Sequence, residues 1–517
     1  MIYGGTSAGV AAAVQTARLG KTTVLIEPSN HLGGISAAGL GATDIGNKQA
    51  IGGISREFYA RIFQHYAKPE SWVQETAAQY AAKRRTPSAD TMWTFEPHVA
   101  EQVFREFVAE NKIPVLFHER LQRKNGVHKR GLTIDSITLE SGKTISGRMF
   151  LDASYEGDLL AGAGCSYQVG REANSVYHET LNGVQTKHAT QHQFKKTIDP
   201  FRIPGDPASG LLLGIHEGGP GEEGSGDQRV QAYNFRLCLT EDASNRLPWP
   251  KPQNYEPARY ELLLRYLQAG VADFLGNNVP MPNRKTDANN NGAFSSDDIG
   301  VNYAYPDGDY ATREKIFLEQ VNYHQGMFWF LAHDERVPAK VRDNINHWGL
   351  AKDEFTDNGG WPPQLYIRES RRLVSDYVMT QRNCEHRVTV SDPIGLGAYN
   401  MDSHNVQRYA QDGRVFNEGD VQVGVAPYPI SYRAIVPKES ECSNLLVPVC
   451  LAASHIAYGS IRMEPVFMVL GQSAATAACQ AIDAGVAVQK LAYQPLRSRL
   501  TTDRQVLYWD PPKPKAK

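Results

Sequence analysis

Cysteine is scarce in this sequence, with 6 residues in a chain of 517. No two of them have the C-x-x-C or C-x-x-x-x-C spacing, which argues against a zinc ribbon and against a dithiol redox centre. Scattered thiols of this kind are typical of small buried hydrophobic residues and do not indicate a compartment. They are Cys165, Cys238, Cys384, Cys442, Cys450 and Cys479.

An excess of either charge is also missing, since 54 Lys and Arg face 56 Asp and Glu, for a formal net charge of -2. Such a chain has no overall field that would concentrate nucleic acid, so we expect no nucleic-acid partner. No apolar run approaches the ~18 residues that span a bilayer, and we expect a soluble protein without a transmembrane segment. The compartment stays open: the sequence as given is typical of a cytoplasmic protein, whereas a signal peptide preceding Met1 would direct export.

Apolar residues and turn formers are plentiful: 41% of the chain is hydrophobic, with 45 Gly and 29 Pro. This composition favours large hydrophobic cores joined by many tight turns. At ~150 residues per domain, the length predicts about three units or two large ones.

The N-terminus reads as a strand, a glycine-rich turn and a helix. Met1 to Tyr3 lead into Gly-Gly-Thr-Ser-Ala-Gly at 4–9, and an apolar helix follows as far as Leu19. The next segment, 22–26, is a continuous apolar strand of the parallel-sheet type that ends on Glu27. These residues predict a βαβ unit. Its first strand is shorter than the usual ~5 to 6 residues, so we expect the natural start to lie upstream.

The glycine turn has the pattern of a dinucleotide fingerprint. Gly4 stands where the chain turns, Thr6 where the backbone approaches pyrophosphate, and Gly9 where helix meets strand. A carboxylate at Glu27 would bind a free ribose and repel a 2'-phosphate. The alternative is a glycine turn in an ordinary α/β domain. The candidate nucleotide ligands of this unit are Gly4, Gly5, Thr6, Ser7, Ala8, Gly9 and Glu27.

Two further segments are candidates for nucleotide contact. A second glycine-rich loop follows Glu27 and contains Gly33 and Gly34, which allow backbone amides to lie against a large flat ligand. A buried strand at 150–151 leads to Asp152 and, after a small-residue turn, to Gly157. For this second segment a capped helix start is an equally good interpretation.

The rest of the chain divides by pattern. A helix is predicted near 99–111, a strand at 113–117 and an antiparallel meander over 132–151. The βαβ rhythm disappears from about 170 to 437, where Tyr, Trp, Asn, Asp and Pro are frequent. It returns with a strand at 445–449 and a long apolar helix that has Pro465 in its first turn.

In combination these segments resemble the FAD-dependent oxidoreductases with a glutathione-reductase-like FAD domain. The resemblance rests on the motifs at 4–9, 31–34, 152–158, 402–405 and 460–465, which span most of the chain. It implies FAD as the cofactor and does not identify the substrate. It also implies that the start of the helix at Pro465 lies beside the flavin, where Arg462 would add positive charge. We include Arg462, Met463 and Gly471 among the cofactor-binding residues, although Arg462 could also be a domain-bridging cation.

The fold expected on this basis is α/β, with a discontinuous Rossmann-like FAD domain and an inserted α+β substrate domain. The FAD domain combines a parallel sheet with an antiparallel meander. Its two parts are 1–169 and 438–495, the inserted domain is 170–437, and a C-terminal tail covers 496–517, of which 511–517 is frayed.

Two histidines are the best candidates for a catalytic base. His404 and His455 lie in segments tied to the resemblance, and imidazole titrates near neutral pH. Asp402 could orient His404, while Tyr432 and Arg433 could hold an oxygenated substrate. The alternatives are structural histidines and a domain-interface pair.

The sequence predicts an oxidoreductase that oxidises a small polar, sugar-like substrate by hydride transfer to the flavin. Because no second glycine fingerprint and no dithiol are present, electrons would leave through oxygen, a quinone or a protein acceptor. The alternatives are a monooxygenase with a separate reductase and an FAD-stabilised binding protein. The segment from Asp287 to Asp298 approaches a calcium loop, but it lacks the final Glu and we expect no metal. His31 could attach FAD covalently, although a noncovalent contact is favoured.

Overall fold

The computed structural model describes residues 1–83, 90–273 and 279–510. Its centre is a five-stranded sheet in which all neighbouring strands are parallel. Across the sheet the strands run in the order Leu445–Leu446, Phe150–Asp152, Ile2–Tyr3, Leu25–Glu27 and Val115–Phe117. The α/β fold class and the N-terminal βαβ unit are therefore confirmed.

Two helices cover this sheet and pack against each other. Ser7–Arg18 follows the glycine turn, and Glu464–Ala484 is the long apolar helix near the end of the chain. The first is rich in alanine and the second contains Gly471, so their backbones approach closely. Glu464–Ala484 is long and apolar enough to cross a membrane, but 89% of its apolar window is buried inside the protein.

The sheet is assembled from both ends of the chain, since Leu445–Leu446 pairs with Phe150 and Leu151. The domain boundaries themselves stay predictions. The helix Tyr493–Thr502 crosses position 496, and its Leu496 and Leu500 are buried. We therefore propose that the C-terminal tail begins after this helix. The frayed tail expected at 511–517 lies outside the described residues.

The elements predicted between the first and last strands are present. The helix expected near 99–111 is Pro97–Glu110, and the strand expected at 113–117 is Val115–Phe117. The meander is an antiparallel sheet of Val127–Arg130, Thr133–Thr138 and Thr144–Ser146.

Antiparallel sheets dominate the region between 170 and 437. The largest has the strand order Arg246–Leu247, Gly349–Ala351, Leu237–Thr240, Lys285–Ala288 and Val279–Met281. The smaller pairs are Tyr167–Gln168 with Arg372–Leu373, Phe201–Ile203 with Asp206–Leu211, Pro393–Gly397 with Tyr428–Ser431, Met401–Ser403 with Val421–Val423, and Gln407–Gln411 with Arg414–Glu418. The remaining α-helices of the described chain are Gly53–Tyr66, Ala77–Lys83, Asp158–Gly162, Asn174–Tyr177, Glu261–Gln268, Tyr310–His333, Ala339–His347, Gln381–Cys384 and His455–Ile461.

Candidate cofactor and active site

The glycine turn at the start of the sheet is held by close backbone packing. Gly4 has a φ of 99°, and a Cβ on it would lie 2.7 Å from the amide nitrogen of Ser154. A Cβ on Gly9 would lie 1.9 Å from the carbonyl oxygen of Gly4. These distances support the roles assigned to the two glycines, because no larger residue fits at either position.

Thr6 and Ser7 differ in what their hydroxyls can offer a ligand. The Thr6 hydroxyl donates to the carbonyl of Ala153 at 2.7 Å and accepts from the amide of Gly9 at 3.2 Å, so it caps the helix. The Ser7 hydroxyl is buried and has no partner with hydrogen-bond geometry, although it lies near the Glu464 carboxyl group. The N-terminus of a helix that follows a glycine-rich turn suits an anionic pyrophosphate. The residues at this end therefore fit the diphosphate of FAD.

Glu27 ends the second strand of the βαβ unit and faces the same turn. Its carboxylate accepts from the amide of Gly5 at 2.7 Å and from the amide and hydroxyl of Ser29 at 2.8 and 2.7 Å. Burial raises the pKa of Glu27 despite these donors. This places a carboxylate beside the glycine turn, where the fingerprint puts the ribose hydroxyls.

Asp152 accepts hydrogen bonds from the turn that follows it, as in the capped-helix interpretation. Its Oδ1 accepts from the amide and hydroxyl of Ser154 at 3.1 and 2.6 Å, and its Oδ2 accepts from the amide of Leu160 at 2.8 Å. Burial raises its pKa to about 6. Asp152 thus holds the turn that contains Gly157, whose φ is 70°.

The second glycine loop packs against the first. Gly33 donates from its amide to the carbonyl of Gly5 at 2.8 Å, and a Cβ on Gly34 would lie 2.1 Å from the hydroxyl of Tyr155. That hydroxyl donates to Glu464 at 2.7 Å and accepts from the amide of Ile35 at 3.0 Å. Tyr155 and Glu464 therefore join the loop to the start of the long helix. Both residues lie in motifs of the family resemblance, at 152–158 and 460–465, but the sequence alone assigns neither of them a role.

Arg462 connects the long helix to a second polar cluster. It is buried, precedes the helix cap Met463, and donates to the hydroxyl of Tyr366 at 2.9 Å. It also lies 3.4 Å from the carboxylate of Asp402. Gly471, about two turns into the long helix, packs on the backbone of Ala8: a Cβ there would lie 2.2 Å from the carbonyl oxygen of Ala8.

His404 is the centre of this second cluster. Its Nδ1 lies 2.9 Å from Asp297, and its Nε2 lies 3.6 Å from Asp402. Burial and Arg368 lower the pKa of His404, but the two carboxylates outweigh them and the net shift is upward. The hydrogen-bonding partner of Nδ1 is thus Asp297, whereas Asp402, the residue expected to orient His404, lies on the Nε2 side.

Charges around His404 are balanced and almost fully buried. Asp297 forms an ion pair of 2.9 Å with Arg368, and although burial opposes ionisation, Arg368 and His404 hold its pKa down at about 2. Asp420 is also buried nearby, and burial raises its pKa to about 7. Several polar atoms of this region are buried without a hydrogen-bond partner: Arg368 Nε, Arg462 Nε, Gln231 Nε2, Asn405 Oδ1 and Asp420 Oδ2. Unpaired donors and acceptors together suit a ligand that carries both.

His455 lies near His404 in a separate hydrogen-bonded chain. Its Nδ1 is 2.8 Å from the carboxylate of Glu369, and its Nε2 is 2.9 Å from the hydroxyl of Ser403. Both ring nitrogens are therefore occupied by protein groups, and the whole chain is buried.

Tyr432 and Arg433 are placed away from both histidines. The Tyr432 hydroxyl donates to the carbonyl of Val488 at 2.8 Å, and Arg433 forms a bidentate pair with Asp392. These contacts give the two residues a packing role. They do not join the His404 cluster.

The calcium-like segment and His31 also have protein partners. Asp287 pairs with Arg236, and Asp298 lies 3.4 Å from Arg259. The two nitrogens of His31 lie 3.0 and 3.2 Å from the carboxylates of Glu101 and Asp357.

A glycine turn after the first strand of a parallel sheet, with a carboxylate at the end of the neighbouring strand, is the arrangement of a dinucleotide-binding domain. The chain belongs to the FAD dependent oxidoreductase family, whose model matches residues 1–500. Its cofactor is FAD. No curated protein matches the sequence.

Solved structures share only part of the fold. Among them, L-proline dehydrogenase from P. horikoshii has 15% identity and a TM-score of 0.23, over 33% of this chain and 57% of that one. L-amino acid deaminase from Proteus vulgaris has 12% identity and a TM-score of 0.23, over 33% and 51%. The aromatic hydroxylase CabE has 13% identity and a TM-score of 0.24, over 33% and 34%. The chain thus covers less than two thirds of the length of each of these neighbours, between 34% and 57%.

Proposed function

We propose that this oxidoreductase removes two electrons and a proton from a hydroxyl- or amine-bearing carbon of a small polar substrate. FAD, when bound, supplies the two-electron acceptor for the substrate C–H bond. The residues expected to hold it are those of the glycine turn, Glu27, the second glycine loop and the start of the long helix. The electron acceptor that follows is oxygen, a quinone or a protein.

The observation that carries this proposal is the position of His404 between Asp297 and Asp402. A neutral imidazole that donates from Nδ1 to Asp297 keeps its lone pair on Nε2, the atom that would take the substrate proton. Asp297 fixes this tautomer and stabilises the imidazolium formed. Arg462 pairs with Asp402 and directly precedes the long helix. It therefore connects the His404 cluster to the helix end that is expected to lie beside FAD.

A polyhydroxylated substrate is favoured by the polar atoms around His404. Leaving a buried donor or acceptor unpaired costs about 1–3 kcal/mol, so a ligand that satisfies several gains affinity. The unpaired atoms include both amide oxygen and guanidinium nitrogen, and a sugar-like molecule can bond to either. Hydroxy acids and amines are the substrate classes with which sugar-like molecules should be compared.

Anaerobic mixing with a panel of carbohydrates, hydroxy acids and amines tests the proposal. We expect the oxidised-flavin absorbance of the FAD-loaded enzyme to bleach with members of one class. Photoreduction followed by exposure to oxygen serves as the control for flavin reactivity. A flavin that photoreduces but is bleached by no class would favour a monooxygenase that needs a separate reductase, and a flavin that cannot be reduced would favour a binding protein.

A further inference from the structure

A polar cavity lies behind the loop that contains Asp297. Its volume is about 370 Å³, and it is lined by that loop, by the helix Tyr310–His333 and by the strand Gln407–Gln411. Asp297 turns toward His404, whereas its neighbour Asp298 lines the cavity. The cavity is therefore a separate space from the His404 cluster.

Arg408 is the unusual group in this cavity. The residue is 3% exposed, its Nε donates to Asn417 at 3.0 Å, and one terminal nitrogen donates to the carbonyl of Ala293 at 2.9 Å. Within the described chain, no carboxylate forms an ion pair with the guanidinium and no acceptor bonds to its other terminal nitrogen. The guanidinium lies 4.9 Å from the ring centroid of Phe294 and has no ion-pair partner in the described chain, so an anionic ligand is favoured at this position.

Asp298 faces both Arg408 and a second arginine, Arg259. It lies 3.4 Å from Arg259, which also pairs with Glu319 at 2.5 Å. Burial raises the pKa of Asp298 to about 7 in spite of Arg259. Tyr323 also faces this group, and His216 and Glu256 lie at the cavity wall.

We propose that this cavity binds the carboxylate of a small organic acid, with Arg408 as its counter-ion and the Asp298 carboxyl group as a second polar contact. Phe294 and Tyr323 also line the cavity, beside the guanidinium groups of Arg408 and Arg259. The proposal is independent of the base assigned above, because none of these side chains contacts His404.

A carboxylate fits this donor set better than phosphate does. One guanidinium with one free terminal nitrogen, together with one carboxylic acid, matches a single negative charge on two oxygens. A doubly charged phosphate would meet too few donors and two further carboxylates nearby, Glu319 and Glu256. A neutral isostere would leave Arg408 without a counter-ion.

The test is equilibrium binding to the FAD-loaded protein without turnover, by calorimetry at pH 6 and pH 8. The probes are benzoate with its uncharged counterpart benzamide, gluconate with glucose, and inorganic phosphate. We expect at least one carboxylate to bind, its neutral counterpart to bind at least tenfold more weakly, and phosphate to bind more weakly than the carboxylate. Because only protonated Asp298 can donate, binding should be about tenfold tighter at pH 6 than at pH 8.

Two variants assign the binding to this cavity. Arg408→Gln should weaken carboxylate binding at least tenfold, whereas Arg130→Gln, on the exposed meander, should leave it unchanged. Asp298→Asn should remove the pH dependence, and it remains informative if the arginine variant does not fold. Equal binding of acid and neutral isostere, tighter binding of phosphate, or binding that ignores both variants would overturn the proposal.

Discussion

His404 is flanked by two carboxylates that stabilise its charged form. Only the neutral imidazole accepts a proton, so the rate of flavin reduction should rise with pH and level off above the pKa of His404. Since Asp297 and Asp402 raise this pKa, the midpoint should lie above the ordinary value of 6.5. Asp297→Asn should lower the midpoint, because an anion beside Nδ1 is removed. Stopped-flow measurement of flavin reduction across the pH range gives the midpoint for the unmodified protein and for the Asp297→Asn variant.

The matched comparison is between the two histidines. His404→Ala should slow reduction by about 100-fold or more, the typical contribution of a general base, with FAD content intact. His455→Ala should have a much smaller effect, because Glu369 and Ser403 already occupy both of its ring nitrogens. If only the His455 variant is slow, the base is His455. If neither is slow, a histidine base is excluded at both positions.

Glu27 should favour FAD over NADP, because its carboxylate would bind free ribose hydroxyls and repel a 2'-phosphate. Glu27→Ala should weaken FAD binding by about ten- to a hundredfold, since hydrogen bonds to a charged group contribute about 1.5–3 kcal/mol. Titration of apoprotein with FAD, followed by flavin fluorescence, gives the affinity, and the exposed Glu140→Ala is the control. An apoprotein that takes up NADP but not FAD would contradict the ribose assignment.

At the scale of elements, the crossing of the first and the long helix depends on one residue without a side chain. Gly471→Ala would push a Cβ to 2.2 Å from the carbonyl oxygen of Ala8. We expect the free energy of unfolding to fall by about 1–3 kcal/mol, as for other overpacked contacts, and FAD retention to fall with it. Denaturant unfolding measures the first effect. Gly219→Ala, where a Cβ meets nothing within 4 Å, should be neutral.

Sequence patterns were most informative where structure is local. The glycine turn, the βαβ unit, the meander and the long helix follow from short-range spacing, and all were predicted. Asp297 was not, because it comes from a loop 107 positions away from His404 in the sequence. Neighbouring Asp297 and Asp298 face different sites, and an irregular loop has no periodicity from which these directions could be read.

At the scale of the whole molecule, cofactor binding should require both ends of the chain. A fragment of residues 1–437 lacks the edge strand Leu445–Leu446 and the helix that covers Ser7–Arg18. We expect it to be poorly folded by circular dichroism and free of FAD after purification. A chain that ends at residue 510 keeps every described element and should retain FAD. Stoichiometric FAD on the shorter fragment would show that the N-terminal part is autonomous.

The pairing of the first helix with the long helix also bears on how the chain is synthesised. The alanine-rich face of Ser7–Arg18 leaves the ribosome early, yet its partner Glu464–Ala484 follows only after about 450 further residues. At a synthesis rate of ~5–20 residues per second, that apolar face stays without its partner helix for roughly 20 to 90 s. During translation this helix is therefore a natural client for a chaperone that shields exposed apolar surface.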